Sequence, residues 1–168
     1  MLLNVWFFST SLFCLIINLK NKKIWKGVLL MSEQNVKTIP TFGYELIRDN
    51  ILRTILGKHE EDVLYWAGKE LARKFPLFTL DEAPLFFEQA GWGILSVEKQ
   101  EKDEITYILS GDVDLLKPEE RCFKIEAGFL AEQAQKINGF LAECYEEKNS
   151  KQGVVKFIIK WDLKEPVR

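Results

Sequence analysis

From Pro40 onward the spacing of apolar residues changes several times along the chain, and each change marks a new element. Residues 42–56 (FGYELIRDNILRTIL) are apolar at 42, 46, 47, 51, 52, 55 and 56, which is helical spacing, and Gly57 supplies the stop. A second amphipathic run over 60–75 sets Val63, Leu64, Ala67, Leu71 and Phe75 on one side. It opens with Glu60, Glu61 and Asp62, where the helix dipole favours acids, and Pro76 ends it. Residues 80–90 predict a short third helix with Asp81 as N-cap, Pro84 in its first turn and Gly91 closing it.

The period then shortens. Gly93 to Lys99 and Ile105 to Leu109 are strand-like, joined by a charged link from Gln100 to Glu104, and read as a β-hairpin. Cys122 to Ile125 is expected to form a brief third strand. Glu126 to Glu147 is expected to form a long helix, with Phe129, Leu130, Ala134, Ile137, Leu141 and Tyr145 in the core and Gly139 weakening it modestly. After a turn at Lys151-Gln152-Gly153, the β-branched and aromatic run from Val154 to Trp161 predicts a closing strand. The sum is an α+β fold: three N-terminal helices and one long helix packed on a twisted, mainly antiparallel sheet of about four strands.

The first thirty residues differ from the rest. Val5 to Leu19 is apolar for about 15 residues, short of the roughly 20 needed for a span, and its lysines (Lys20, Lys22, Lys23, Lys26) follow it. A secretory signal has the reverse order. Lys26-Gly27-Val28 can be encoded by a purine-rich ribosome-binding sequence, so residues 1–31 are expected to be a non-native upstream extension before a start at Met31. The alternative is a short apolar anchor, and membrane contact is expected only if residues 1–30 are genuinely translated. Residues 32–168 form a single domain in either case.

Composition narrows the function classes. With 47% apolar residues, 12 Phe and 5 Trp, the chain can offset its ordering entropy by burial. Its net charge is −2, and without the first thirty residues 19 basic groups face 25 acidic ones, a balance that disfavours nucleic acid. Cys14, Cys122 and Cys144 are too scattered for a disulfide framework and read as reduced thiols of a cytoplasmic protein. With His59 the sole histidine, no metal-ligand set and no Ser/His/Asp or Cys/His arrangement can be drawn, so neither enzyme activity nor a cofactor is expected. Gly91-Trp92-Gly93 lacks phosphate-loop spacing and reads as a tight turn with Trp92 as a packing anchor.

The aromatic residues are the most informative constellation. Tyr65, Trp66, Phe75, Phe78, Phe86 and Phe87 come from two neighbouring helices and crowd one volume. Core packing is the default use of such rings. Two further uses follow: an apolar pocket between helices and sheet, lined by Phe86, Phe87, Trp92 and Phe129, or a self-association face carrying Phe42, Tyr44 and Tyr65.

The wording FGYELIRDNILRTILGKHEEDVLYWAGKELARKFP, LFFEQAGWG, IEAGFLAEQAQ and GVVKFIIKW, in this order of elements, closely resembles the YslB family of small bacterial proteins of unknown function, from about Thr38 to Asp162. More remotely the order is similar to the fold of TRAPP trafficking subunits and vinyl-reductase-type ligand-binding domains. That resemblance implies either an assembly subunit packing through its first helices or a holder of small apolar or aromatic molecules. The acylated cysteine of one TRAPP kind has no counterpart in Phe78-Thr79-Leu80-Asp81, and Cys122 stands alone where some vinyl-reductase-type domains carry a cysteine cluster. The expectation is a cytoplasmic interaction or assembly module, a homo-oligomer or a subunit with a protein partner; the alternative is binding of a small apolar or aromatic ligand.

Overall fold

The computed structural model describes residues 40–116 and 119–167, so both readings of the first thirty residues, and the boundary at residue 31, lie outside the described residues. Helix α1 runs continuously over residues 41–56: an α-helical Thr41–Glu45, a π-helical Leu46–Leu52 and an α-helical Arg53–Leu56. Gly57, at φ +51°, ends it, a conformation glycine adopts without a Cβ penalty. Helix α2 spans Glu60–Lys74 and α3 Ala83–Gln89. Strands β1 (Ile94–Gln100) and β2 (Glu104–Ser110) form the expected hairpin, and a short α4 (Val113–Leu116) follows. Helix α5 (Lys124–Asn138), β3 (Phe140–Asn149) and β4 (Val154–Pro166) complete the described chain.

The architecture is α+β. The four strands lie in the order β1-β2-β4-β3, and every neighbouring pair is antiparallel. Helices α5 and α3 cover one face of this sheet, and α2 packs on α5. Helix α5 is therefore the middle layer. Its residues from Glu126 to Ala134 are all buried, which explains why it lacks a strong amphipathic stripe. The polar side chains caught there find partners: Glu132 accepts from Arg73 Nε at 2.8 Å, and Gln133 donates to the Phe75 carbonyl at 2.8 Å and accepts from Leu77 N–H at 3.0 Å.

The second half of the chain departs from the sequence expectation in two linked ways. Cys122 to Ile125 is not a strand but leads into the first turn of α5, and the helix expected to reach Glu147 stops at Asn138. Gly139 adopts a left-handed conformation (φ +75°) and donates its N–H to the Gln135 carbonyl, closing the helix. Residues 140–149 then pair with β4 in the sheet, so Leu141 and Tyr145 are exposed strand residues and not helix core. Their alternation with buried Ala142 and Cys144 is the period-2 signal of β3.

Helix α2 also turns a different face inward. Leu64, Gly68, Lys69 and Ala72 are buried, while Val63, Ala67 and Phe75 are exposed. The cause is the close approach of α5. A Cβ on Gly68 would lie 2.1 Å from the Ile125 carbonyl oxygen, and one on Gly128 would lie 2.0 Å from that of Tyr65. Two glycines thus let the backbones meet, and their position sets the rotation of α2.

Candidate functional site

An amphipathic helix ordinarily docks by its apolar stripe. Helix α1 does the opposite. Phe42 (69% exposed), Leu46, Ile47, Ile51 and Ile55 (73%) face solvent, and Asn50, Thr54 and the half-exposed Arg53 complete the exposed side. Its outward positions recur near every fourth residue: 42, 46 and 47, 50 and 51, 54 and 55. The ordinary α repeat is 3.6, and the wider π turns between Leu46 and Leu52 accommodate the longer period.

The inward side of α1 is held by charges. Arg48, 5% exposed, donates from Nη2 to Glu126 Oε2 at 2.6 Å and to the Cys122 carbonyl at 3.1 Å, and from Nη1 to the Tyr44 hydroxyl. The next residue, Asp49, receives a two-pronged grip from Arg121, Nε to Oδ1 at 2.9 Å and Nη2 to Oδ2 at 2.8 Å. Arg53 donates to the Glu120 carbonyl, and the Arg121 guanidinium lies 5.5 Å from the Tyr44 ring centroid. All of these grips close on residues 120–126, which lead into the first turn of α5, where a carboxylate such as Glu126 is favoured by the helix dipole. Burial opposes charge on Arg48, yet Glu126 and Tyr44 hold its guanidinium above the ordinary arginine range. Burial likewise raises the Tyr44 phenol.

Sequence-derived site residues fall into three places. Phe42 is on the outward face of α1. Tyr44 and Tyr65 turn inward: Tyr65 donates its hydroxyl to Glu143 and accepts the Cys144 N–H at 3.3 Å, which covers part of the sheet edge at β3. Lys69 completes this second cluster, 3.1 Å from Glu143 Oε1 and stacked near the Tyr65 and Trp66 rings. Burial and the hydrogen bond to Glu143 push the Tyr65 phenol up, and burial pushes the Cys144 thiol well above its usual range, so neither is poised to ionise near neutrality.

Phe86, Phe87, Trp92 and Phe129 do meet between helices and sheet, and they pack on one another. Phe86 stacks on Phe129 at 4.3 Å between centroids, and Trp92 meets Phe87 edge-on at 4.9 Å and Phe129 at 5.7 Å. A cleft of about 110 Å³ touches Trp92 from the loop side, alongside Gly91, Gly111 and Arg121. A wider open groove of about 630 Å³ crosses the outer face of the sheet, over Leu141, Tyr145 and Lys160. His59 is exposed in the turn before α2. Among the described residues no three His, Cys, Asp or Glu side chains are placed to hold a metal ion, and no helix is long and apolar enough to cross a membrane.

The residues that sequence reasoning passed over are Arg48, Asp49, Arg121 and Glu126. Each pair is separated by more than 70 positions, and a charged residue on a helix gives no sign of a distant partner.

The chain is 44% identical over 141 residues to the uncharacterized protein YslB of Bacillus subtilis (strain 168), covering 81% of this chain and 95% of that one. A vinyl-4-reductase family protein from Methanocaldococcus jannaschii shares the fold, with a TM-score of 0.56 at 22% identity over 75% of this chain and 83% of its own. A trafficking protein particle complex subunit 3 from Naegleria fowleri, covalently bound to palmitic acid, aligns with a TM-score of 0.39 at 12% identity over 91% and 96% of the two chains. The DUF2507 family, described as a protein of unknown function, matches residues 41–160, and it is to this family that the chain belongs.

Proposed function

We propose that this protein is an interaction module that self-associates through the outward face of α1. The observation that carries the reading is the inverted docking of that helix, which leaves Phe42, Leu46, Ile47, Ile51 and Ile55 in solvent. Those five side chains open on the order of 500 Å² of apolar surface, a size at which an exposed patch is often functional. Val63 and Trp66 (61% exposed) on α2 are further exposed apolar side chains.

A second copy fits this face better than a partner of other chemistry. The chain beyond residue 30 is acidic, so two copies repel wherever carboxylates meet. Apart from the half-exposed Arg53, the exposed side of α1 between positions 42 and 55 is uncharged, and an antiparallel pair of such helices is self-complementary about a twofold axis. Trp66 supplies the kind of large ring that anchors interfaces.

Sedimentation velocity across a concentration series tests this reading. The full chain is expected to associate reversibly, and Phe42→Glu with Ile51→Glu is expected to weaken association at least tenfold without changing far-UV circular dichroism. A wild-type chain that stays monomeric at high concentration, or a variant that associates equally, would contradict it.

Capture of a small apolar molecule is the second reading, supported by the rings of Phe86, Phe87, Trp92 and Phe129 lying between helices and sheet. Since those rings already occupy their shared volume, a ligand has to displace at least one of them. Native mass spectrometry of protein from its own host, with a consistent extra mass, would favour this reading.

A further inference from the structure

We infer that the buried pair Arg48–Glu126 and the adjoining pair Asp49–Arg121 are a positioning device, which holds α1 in the one rotation that keeps its apolar face outward. The purpose assigned to that face rests on the self-association reading; the positioning itself does not.

The argument begins with what α1 would otherwise do. A helix with five large apolar side chains on one side gains most by turning that side to the body. Packing on α5 through long, charged side chains is the less favourable solution for stability, because buried ion pairs give up hydration and seldom exceed well-packed apolar residues of the same size. The structure nevertheless buries Arg48 (5% exposed) and Glu126 (1%), and Arg121 is as hidden as Arg48. Arg48 Nε even lacks a hydrogen-bond partner among the described residues. Such an arrangement selects for geometry.

The geometry is well suited to fixing a rotation. Arg48 and Asp49 are consecutive, so they leave the helix in directions about 100° apart, or somewhat less in π turns. One of them supplies a cation and the other an anion, and each meets its opposite on residues 121–126. A half-turn of α1 that buried Ile47, Ile51 and Ile55 would carry both groups into solvent. It would leave Glu126 and Arg121 buried with their charges unmatched, the costly half of a broken ion pair. Tyr44, bonded to Arg48 and lying against Arg121, shares the inward side with the partly buried Leu52 and Leu56. The π-helical stretch spans this same segment and sets the outward residues in line.

The test reads rotation directly, at a dilution where the chain is monomeric. Ile55→Cys is labelled with a water-soluble maleimide and quantified at position 55 by peptide mass spectrometry, so that the native thiols do not interfere. With the ionic pairs intact, labelling is expected to be fast. Replacing one pair by apolar residues of similar length, Arg48→Met with Glu126→Met, is expected to slow it at least tenfold in a protein that still melts cooperatively. Exchanging the charges, Arg48→Glu with Glu126→Arg, is expected to restore fast labelling. If the Met pair does not fold, Asp49→Leu with Arg121→Met removes the other grip and carries the same expectation. Unchanged labelling in a folded pair variant would overturn the inference. Sedimentation of the same proteins at high concentration separates the two ideas: a wild type that stays monomeric there, with slowed labelling in the dilute Met pair, removes the self-association reading and leaves the positioning role standing.

Discussion

Helix α2 meets α5 backbone to backbone, at a distance only Gly68 and Gly128 permit, whereas α1 reaches the same helix through the ends of long charged side chains. Both helices look alike in sequence, each an amphipathic run of about fifteen residues. The α2–α5 seam excludes water and leaves no room for a methyl group, so it resists change through packing. The α1 seam is ionic, and its strength depends on each charge keeping its partner. One contact stabilises the body; the other fixes the direction in which a helix faces.

Two substitutions break these seams differently. Arg48→Ala leaves Glu126 buried without its cation and is expected to cost about 3–5 kcal/mol, whereas Arg48→Met with Glu126→Met is expected to cost far less or nothing. Gly128→Val is expected to cost about 3 kcal/mol, since its Cβ would collide with a backbone carbonyl that cannot rotate away, and here no second substitution offers rescue. Urea denaturation of the three variants measures the contrast. Equal losses for Arg48→Ala and the Met pair would show that the α1 contact behaves as packing and not as charge pairing.

A smaller effect comes from the body that both helices share. Tyr107 is fully buried in β2, donates its hydroxyl to the Leu80 carbonyl at 3.1 Å, and has its phenol raised by burial to about 12. An unfolded tyrosine ionises near 10, so its contribution is complete below pH 10 and is lost as pH rises through about 12. Tyr107→Phe is expected to cost about 1 kcal/mol at neutral pH, the worth of the lost hydrogen bond, and to flatten this alkaline decline. Tyr44 and Tyr65, also raised, retain their share of it. Thermal melts at pH 7, 10 and 11.5 compare the two proteins; an unchanged alkaline slope in the variant would assign the decline elsewhere.

Local signals made much of the fold legible. The period of 42–56, the acids opening 60–62, Pro76, and the turn glycines at 57 and 91 delimit the first helices, and Val154 to Trp161 reads as a strand from its β-branched and aromatic content. The stretch from 140 to 149 was hidden because Glu143, Glu146 and Glu147 suit a helix surface, and its pairing with β4 is decided by the turn at 150–153 and the left-handed Gly139. The rotation of α2 was hidden for a related reason: Gly68 and Gly128 are sixty residues apart, and a glycine in a helix signals close approach only when its partner is known. The aromatic group was found by counting rings, whereas the outward face of α1 could not be, since Phe42, Ile51 and Ile55 have the same spacing whether a helix turns them in or out.

The central claim is that α1 presents a twofold self-association surface, and its midpoint offers the most direct measurement. In an antiparallel pair spanning residues 42–55 the middle of the helix meets itself, which brings position 50 of one copy near position 50 of the other. Asn50→Cys, in a Cys14→Ser background and under mild oxidation, is compared with Ser96→Cys on β1. Rapid disulfide-linked dimers at position 50 and slow ones at position 96 are the result expected. Equal rates at the two positions, falling together on dilution, would mean that copies collide at random and that the outward face of α1 is not where they meet.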